Sequence, residues 1–167
     1  FVHESLRLHP ASPVARRRAS RGTQIAGYGA VDAGDDVVAD LYRANRDPAV
    51  FGADADEFNP YRALPPGVRP WGLTFGYGMH ACMGRDLDGG MVALPGTVAD
   101  EHQYGIVTLF ARALLARGAR NDPDDPPQPD PNTVRANWGR YPVLFADVDG
   151  PSRRGPFTGA FDSEEKD

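Results

Sequence analysis

The sequence has 167 residues and a formal net charge of -5, and this length suits one domain with a hydrophobic core. The acidic balance argues against a nucleic-acid partner, and no run of apolar residues is long enough to span a membrane. The 19 glycines and 16 prolines predict long irregular connections. A single cysteine excludes internal disulfides and is compatible with a reducing, cytoplasmic location.

The first half of the chain predicts short elements. It begins FVHESLRLHP, already inside a helical apolar pattern, which indicates a piece of a longer protein. We expect this helix to end at His9, because a proline disfavours helical backbone in the residue before it. Stretches 14–18, 23–26 and 36–39 predict a small sheet of hairpins. LYRANRDPAVF predicts two helical turns with a break at Asp47–Pro48, and residues 52–73 predict a long ordered meander.

The second half alternates between irregular and regular predictions. GRDLDGGMVALPGTVADEHQ is too rich in glycine and proline for a regular helix, whereas apolar spacing predicts a helix over about 101–117. TVRANWGRYPVLF predicts a closing hairpin, and the polar residues 149–167 predict a disordered tail. The expected fold class is therefore α+β, predominantly helical, with short antiparallel hairpins and long coil.

The only cysteine, Cys82, lies in the glycine-rich stretch TFGYGMHACMGRDL. The residues leave three roles open for its thiol: a buried structural side chain, a nucleophile with His80 as a nearby base, or a metal ligand. The spacing of histidines does not suit tetrahedral zinc, whereas haem iron needs only one strong axial thiolate and room for the porphyrin. Glycines provide that room, because backbone without a Cβ can approach a flat ligand closely.

FGYGMHACMG is similar to the cysteine-ligand loop of cytochrome P450, whose pattern is F-G-x-G-x-H-x-C-x-G. ESLR resembles the E-x-x-R pair of the family's K helix, and ANRDPAVF and DEFNPYR resemble segments that follow it in bacterial members. The resemblance covers about residues 1–147. It implies the C-terminal part of the P450 fold, with a haem-binding portion over residues 1–148.

The resemblance also implies a haem b cofactor with Cys82 as the axial ligand of its iron. Phe75 would pack against the haem near the sulfur, and His80 would reach a propionate. In RRRAS the family pattern R-x-A makes Arg17 the propionate partner, with Arg16 and Arg18 as alternatives. The full set of cofactor-binding positions implied is Phe75, Gly76, His80, Cys82, Gly84 and Arg17.

Two further sets of residues follow from the resemblance. Glu4, Arg7 and Arg62 would form a buried ionic network that fixes the meander behind the haem. Glu4 and Arg7 are three residues apart, so they share a face of the helix and can pair. The possible substrate contacts are Ser12, Pro13, Val14, Asn137 and Trp138.

The family activity implied is that of a monooxygenase, which inserts one atom of O2 into a small organic substrate. A ferredoxin or a flavin reductase would donate the electrons. The oxygen-activating helix of the family lies upstream of the K helix and is absent from this sequence, so we expect the chain alone to be inactive. The alternative is a non-catalytic haem-binding module or a decayed fragment, because MVALPGTVADEHQ has the character of an insertion after the cysteine loop.

Overall fold

The computed structural model describes residues 1–133 and 137–146, and the backbone of residues 153–155. The chain divides into two units, Phe1–Val107 and Thr108–Asp167. Most of the predicted tail, residues 149–167, lies outside the described residues, and its described part, Arg153–Gly155, is a strand. No helix of the described residues is long and apolar enough to cross a membrane.

The first unit opens with helix α1, Val2–Leu8, which ends before Pro10 as the sequence predicts. Four strands follow: β1 is Val14–Arg18, β2 is Thr23–Ile25, β3 is Gly29–Val31 and β4 is Asp36–Asp40. β1 pairs with β4, and β2 pairs with β3; both pairs are antiparallel. In the sequence, the β2–β3 hairpin therefore lies between the two strands of the β1–β4 pair.

Two short helices begin at aspartate caps. α2 is Leu41–Ala44, where the Asp40 carboxylate accepts a hydrogen bond from the Arg43 amide, and α3 is Pro48–Phe51, where Asp47 accepts from the Ala49 amide. The break between them falls at Asp47–Pro48, as predicted. A long meander then contributes Ala55 and Trp71 to the apolar core, together with Leu8, Leu41 and Phe51.

Helix α4, Arg85–Asp88, follows the cysteine loop after a 3-10 turn at Gly78–His80. A second 3-10 turn spans Ala99–Glu101, and helix α5 spans Ile106–Ala116. α5 starts five residues later than the predicted helix, because 101–105 belong to an irregular excursion. Helix and strand cover similar lengths of the described chain, so the predicted helical predominance is not observed.

The described residues of the second unit form five short strands: β5 is Arg120–Asn121, β6 is Gln128–Pro129, β7 is Trp138–Arg140, β8 is Val143–Phe145 and β9 is Arg153–Gly155. β8 pairs with β5 and β9, whereas β7 pairs with β6. Residues 134–136 of the closing hairpin predicted over TVRANWGRYPVLF lie outside the described residues. The described strands of that stretch, β7 and β8, pair with strands before and after it and not with each other.

Candidate functional site

The cysteine loop is a tight turn that depends on glycine. The Cys82 amide donates to the Phe75 carbonyl at 2.7 Å, which closes the loop on itself. Gly76 and Gly78 have φ values of 71° and 65°, in the left-handed region that disfavours side chains. A Cβ at Gly76 would also lie 3.3 Å from the His80 carbonyl oxygen. The loop thus presents an exposed free thiol at Cys82.

Beside this thiol the first unit has a cavity of about 740 Å³. The loop contributes Cys82, Phe75, Gly76 and His80 to its lining, and the segment after α1 with β1 contributes Ser12, Val14 and Arg17. A volume of this size is typical of cofactor and small-molecule sites. The structure therefore brings most of the predicted cofactor-binding residues, and two of the predicted substrate contacts, around one space.

Of the three consecutive arginines, Arg17 alone lines this cavity. Side chains alternate between the two faces of a strand, so Arg16 and Arg18 lie on the opposite face of β1 from Arg17. Arg17 is exposed, and its Nη1 donates to the Arg16 carbonyl at 2.7 Å.

Four other predicted positions are placed differently. Gly84 and Pro13 are not among the residues that line the cavity; a Cβ at Gly84 would lie 3.8 Å from the Cys82 sulfur. Asn137 and Trp138 belong to the second unit, where both are exposed and the Trp138 ring contacts Tyr141 edge to face at 5.5 Å.

Glu4, Arg7 and Arg62 form one buried ionic cluster. The guanidinium of Arg7 binds both oxygens of Glu4 at 2.7 Å, and Arg62 Nη2 donates to Oε1 at 3.3 Å. Arg7 is fully buried and also donates to the Ala55 carbonyl at 2.8 Å. Because Ala55 and Arg62 lie in the meander, the cluster fastens this coil to α1.

The electrostatics of the cluster favour ionised Glu4. Burial acts to raise the pKa of its carboxyl, but hydrogen bonds from Arg7, the Asn59 amide and Arg62 outweigh burial, and the pKa lies below its ordinary value. The carboxylate therefore stays charged in the folded chain near neutral pH.

Sequence reasoning missed Asn45, which is fully buried between α2 and α3. Its Nδ2 donates to the Arg7 carbonyl at 3.0 Å and to the Thr74 hydroxyl at 3.1 Å, and its Oδ1 accepts from the Leu73 amide at 2.6 Å. It thereby links α1 to the start of the cysteine loop. Asn45 belongs to ANRDPAVF, one of the segments that resemble the family, but no local pattern in the sequence indicates its buried contacts.

After α4 the chain makes an irregular excursion over residues 89–105. Gly90 and Tyr104 form an isolated antiparallel bridge, and the Met91 amide donates to the Gln103 carbonyl at 3.0 Å. The predicted interruption of a helix after the cysteine loop is therefore observed. The last residues of the excursion lie beside its first residues.

Comparison with known proteins identifies sequence relatives of this chain. The cytochrome P450 family model matches residues 1–89, more than half of the chain. Indoleacetaldoxime dehydratase of Arabidopsis thaliana is 35% identical over 105 residues, covering 59% of this chain and 20% of the relative. Cytochrome P450 126 of Mycobacterium tuberculosis is 41% identical over 86 residues, covering 52% of this chain and 19% of the relative.

A solved structure of an unusual cytochrome P450-like monooxygenase involved in microbial secondary metabolism aligns with a TM-score of 0.60. It is 21% identical, and the alignment covers 87% of this chain and 34% of the other, which shows a shared fold. The chain spans about a fifth of the length of the two curated relatives. Fold and family match define a P450-type protein, and the chain belongs to the cytochrome P450 family.

Proposed function

We propose that residues 1–148 are the C-terminal haem-binding portion of a bacterial-type cytochrome P450, with Cys82 as the axial ligand of haem b. One observation carries the proposal: the exposed thiol of Cys82 opens into a cavity of about 740 Å³ whose lining includes Phe75, His80 and Arg17. Family membership implies the haem cofactor, and the glycine turn leaves backbone space beside the thiol.

The residues present fit haem. Cys82 would hold the iron, Phe75 and the backbone of Gly76 would pack against the porphyrin, and the cations or donors Arg17 and His80 would bind the propionates. Among the described residues no cluster of three or more histidine, cysteine, aspartate or glutamate side chains could hold a metal ion, which fits a single thiolate ligand better than a zinc site. A thiolate-bound haem supplies the O–O cleavage chemistry of the family.

In the whole protein this region would serve a monooxygenase acting on a small organic substrate, with electrons from a ferredoxin or flavin reductase. Ser12 and Val14 line the same cavity as Cys82, which supports a role for residues 12–14 in facing the substrate. We extend the substrate role to Asn137 and Trp138 by resemblance alone. The segments ANRDPAVF and DEFNPYR support the bacterial type, as does the Mycobacterium relative. The single free thiol suits a cytoplasmic location.

A second candidate is a non-catalytic haem-binding module or a decayed fragment. The observation in its favour is α4, which ends at Asp88 after four residues and gives way to the excursion 89–105. In the family this region supports the proximal haem face, where the electron donor docks. An upstream coding sequence in the same frame that contains the oxygen-activating helix would favour the enzyme, and a stop codon there would favour the module.

Haem titration of the purified chain tests the proposed site. Haem bound in the cavity should quench Trp71 fluorescence with saturation at one equivalent, and Cys82→Ala should abolish saturable binding. Arg17→Ala should weaken binding by up to about fivefold, the range of an exposed ion pair. The matched control is Arg21→Ala, an exposed arginine outside the cavity lining, which should bind as the wild type does. Equal affinities for wild type and Cys82→Ala would contradict the proposal.

A further inference from the structure

His3 and the cysteine loop are joined by a closed cycle of contacts. The Nε2 of His3 lies 2.6 Å from the carbonyl oxygen of Gly89, and the His3 ring meets Trp71 edge to face at 4.8 Å. Trp71 in turn meets Phe75 edge to face at 5.7 Å. Phe75 completes the cycle, because a Cβ placed on Gly89 would lie 3.1 Å from its ring.

This cycle holds the cysteine loop at both ends. Phe75 lies at the start of the loop, and its carbonyl accepts a hydrogen bond from the Cys82 amide. Gly89 directly follows α4, the helix that continues the loop. Trp71 and Gly89 are buried, so displacement of either one requires the neighbouring rings to move. His3 is therefore connected through these contacts to residues that flank Cys82 on both sides in the chain.

The contact between His3 and Gly89 requires a proton on Nε2 of the imidazole. A carbonyl oxygen only accepts, so Nε2 must donate to Gly89. Burial lowers the pKa of His3, and the hydrogen bond to Gly89 acts in the opposite direction. His102 and the amino group of Phe1 also lower this pKa, through longer-range electrostatic interactions.

We infer that His3 is a positioning residue for Cys82, acting through Trp71 and Phe75 on one side and through Gly89 on the other. The inference rests on the proposed haem-thiolate role of Cys82. It predicts that the environment of the thiolate, and not only the stability of the fold, depends on a hydrogen-bond donor at position 3.

A haem-free experiment tests the contacts first. The chain has two tryptophans, so Trp138→Phe leaves Trp71 as the only one, and a protonated imidazole in contact with an indole quenches its emission. Trp71 fluorescence should fall with decreasing pH with a midpoint below the ordinary histidine value of 6.5, and His3→Gln should remove this titration. A titration that persists in His3→Gln would overturn the contact between the two rings.

The haem-loaded chain then tests the positioning role. With saturating haem, dithionite and carbon monoxide, His3→Ala should move the Soret band from its wild-type position and weaken haem binding by roughly fivefold, the equivalent of one lost hydrogen bond. His3→Gln, which retains a donor, should recover most of the wild-type band. Ser5→Ala, an exposed change on the same helix, should leave the band unmoved.

The outcomes separate the two proposals. A wild-type band in saturated His3→Ala would overturn the positioning role while leaving haem binding intact. A wild-type chain without any thiolate band would remove the proposed function, and the role of His3 with it, whatever the fluorescence titration gives.

Discussion

At the scale of single residues, Arg7 links most of the first unit's polar interior. Its guanidinium is fully buried and binds Glu4, Ala55 and Asn45. Arg7→Ala should lower the free energy of unfolding by about 3–5 kcal/mol, because Glu4 would keep a buried charge without its main partner. Urea unfolding measures this loss.

Arg43→Ala is the matched control for Arg7. It removes an arginine that also pairs with a carboxylate three residues away, but the Arg43–Asp40 pair is exposed. The expected loss is below about 1 kcal/mol. Equal losses in the two variants would contradict a stabilising role for the buried cluster.

The lowered pKa of Glu4 gives a pH dependence of stability. A carboxyl whose folded pKa is depressed binds a proton more readily in the unfolded chain, so its contribution is complete above the ordinary value of 4.5 and is lost as pH falls through the folded pKa. The free energy of unfolding should therefore fall as pH decreases below about 4.5. Glu4→Gln should be less stable near neutral pH and should flatten this acid limb. If Glu4→Gln lost stability in acid as steeply as the wild type does, other carboxyls would be responsible for the pH dependence.

At the scale of elements, the excursion 89–105 closes through contact of glycine backbones. A Cβ on Gly105 would overlap the Asp88 carbonyl oxygen and the backbone of Gly89 and Gly90. These atoms are main-chain atoms, so the overlap cannot be relieved by rotation of a side chain. The excursion therefore depends on glycine at position 105 to return to its point of departure.

Gly105→Ala should destabilise the first unit by about 1–3 kcal/mol, the usual range for overpacking. It should also reduce hydrogen-exchange protection of the Met91 amide, which bonds to Gln103 across the closure. Gly22→Ala is the control, since its Cβ would meet the Val31 carbonyl at an ordinary 3.8 Å. Undiminished protection at Met91 in Gly105→Ala would show that the closure does not need the contact.

At the scale of the whole molecule, prediction from sequence succeeded where signals are local. Pro10 and Pro48 fix helix boundaries through backbone sterics, and the stretches 14–18 and 36–39, predicted as strands, lie in β1 and β4. The family follows from FGYGMHACMG because that motif is contiguous. The cavity that gathers Arg17, Ser12 and Cys82 needed the fold as well.

Prediction failed where partners are distant in the chain. Trp138–Arg140 and Val143–Phe145 are adjacent strands in sequence, yet each pairs elsewhere. The partners of Asn45 lie 28 to 38 residues away, and Gly89, which binds His3, lies 86 residues from it. The periodicity of apolar residues in the sequence cannot predict such contacts, because they depend on how the meander and the cysteine loop pack on α1.

The central claim is that Cys82 is a haem-iron ligand, and one spectrum tests it most directly. The purified chain is supplied with haem, reduced with dithionite and exposed to carbon monoxide, beside Cys82→Ala. A strongly red-shifted Soret band in the wild type and its absence in Cys82→Ala is the predicted result. No such band, or a band that is the same in both chains, would contradict the assignment.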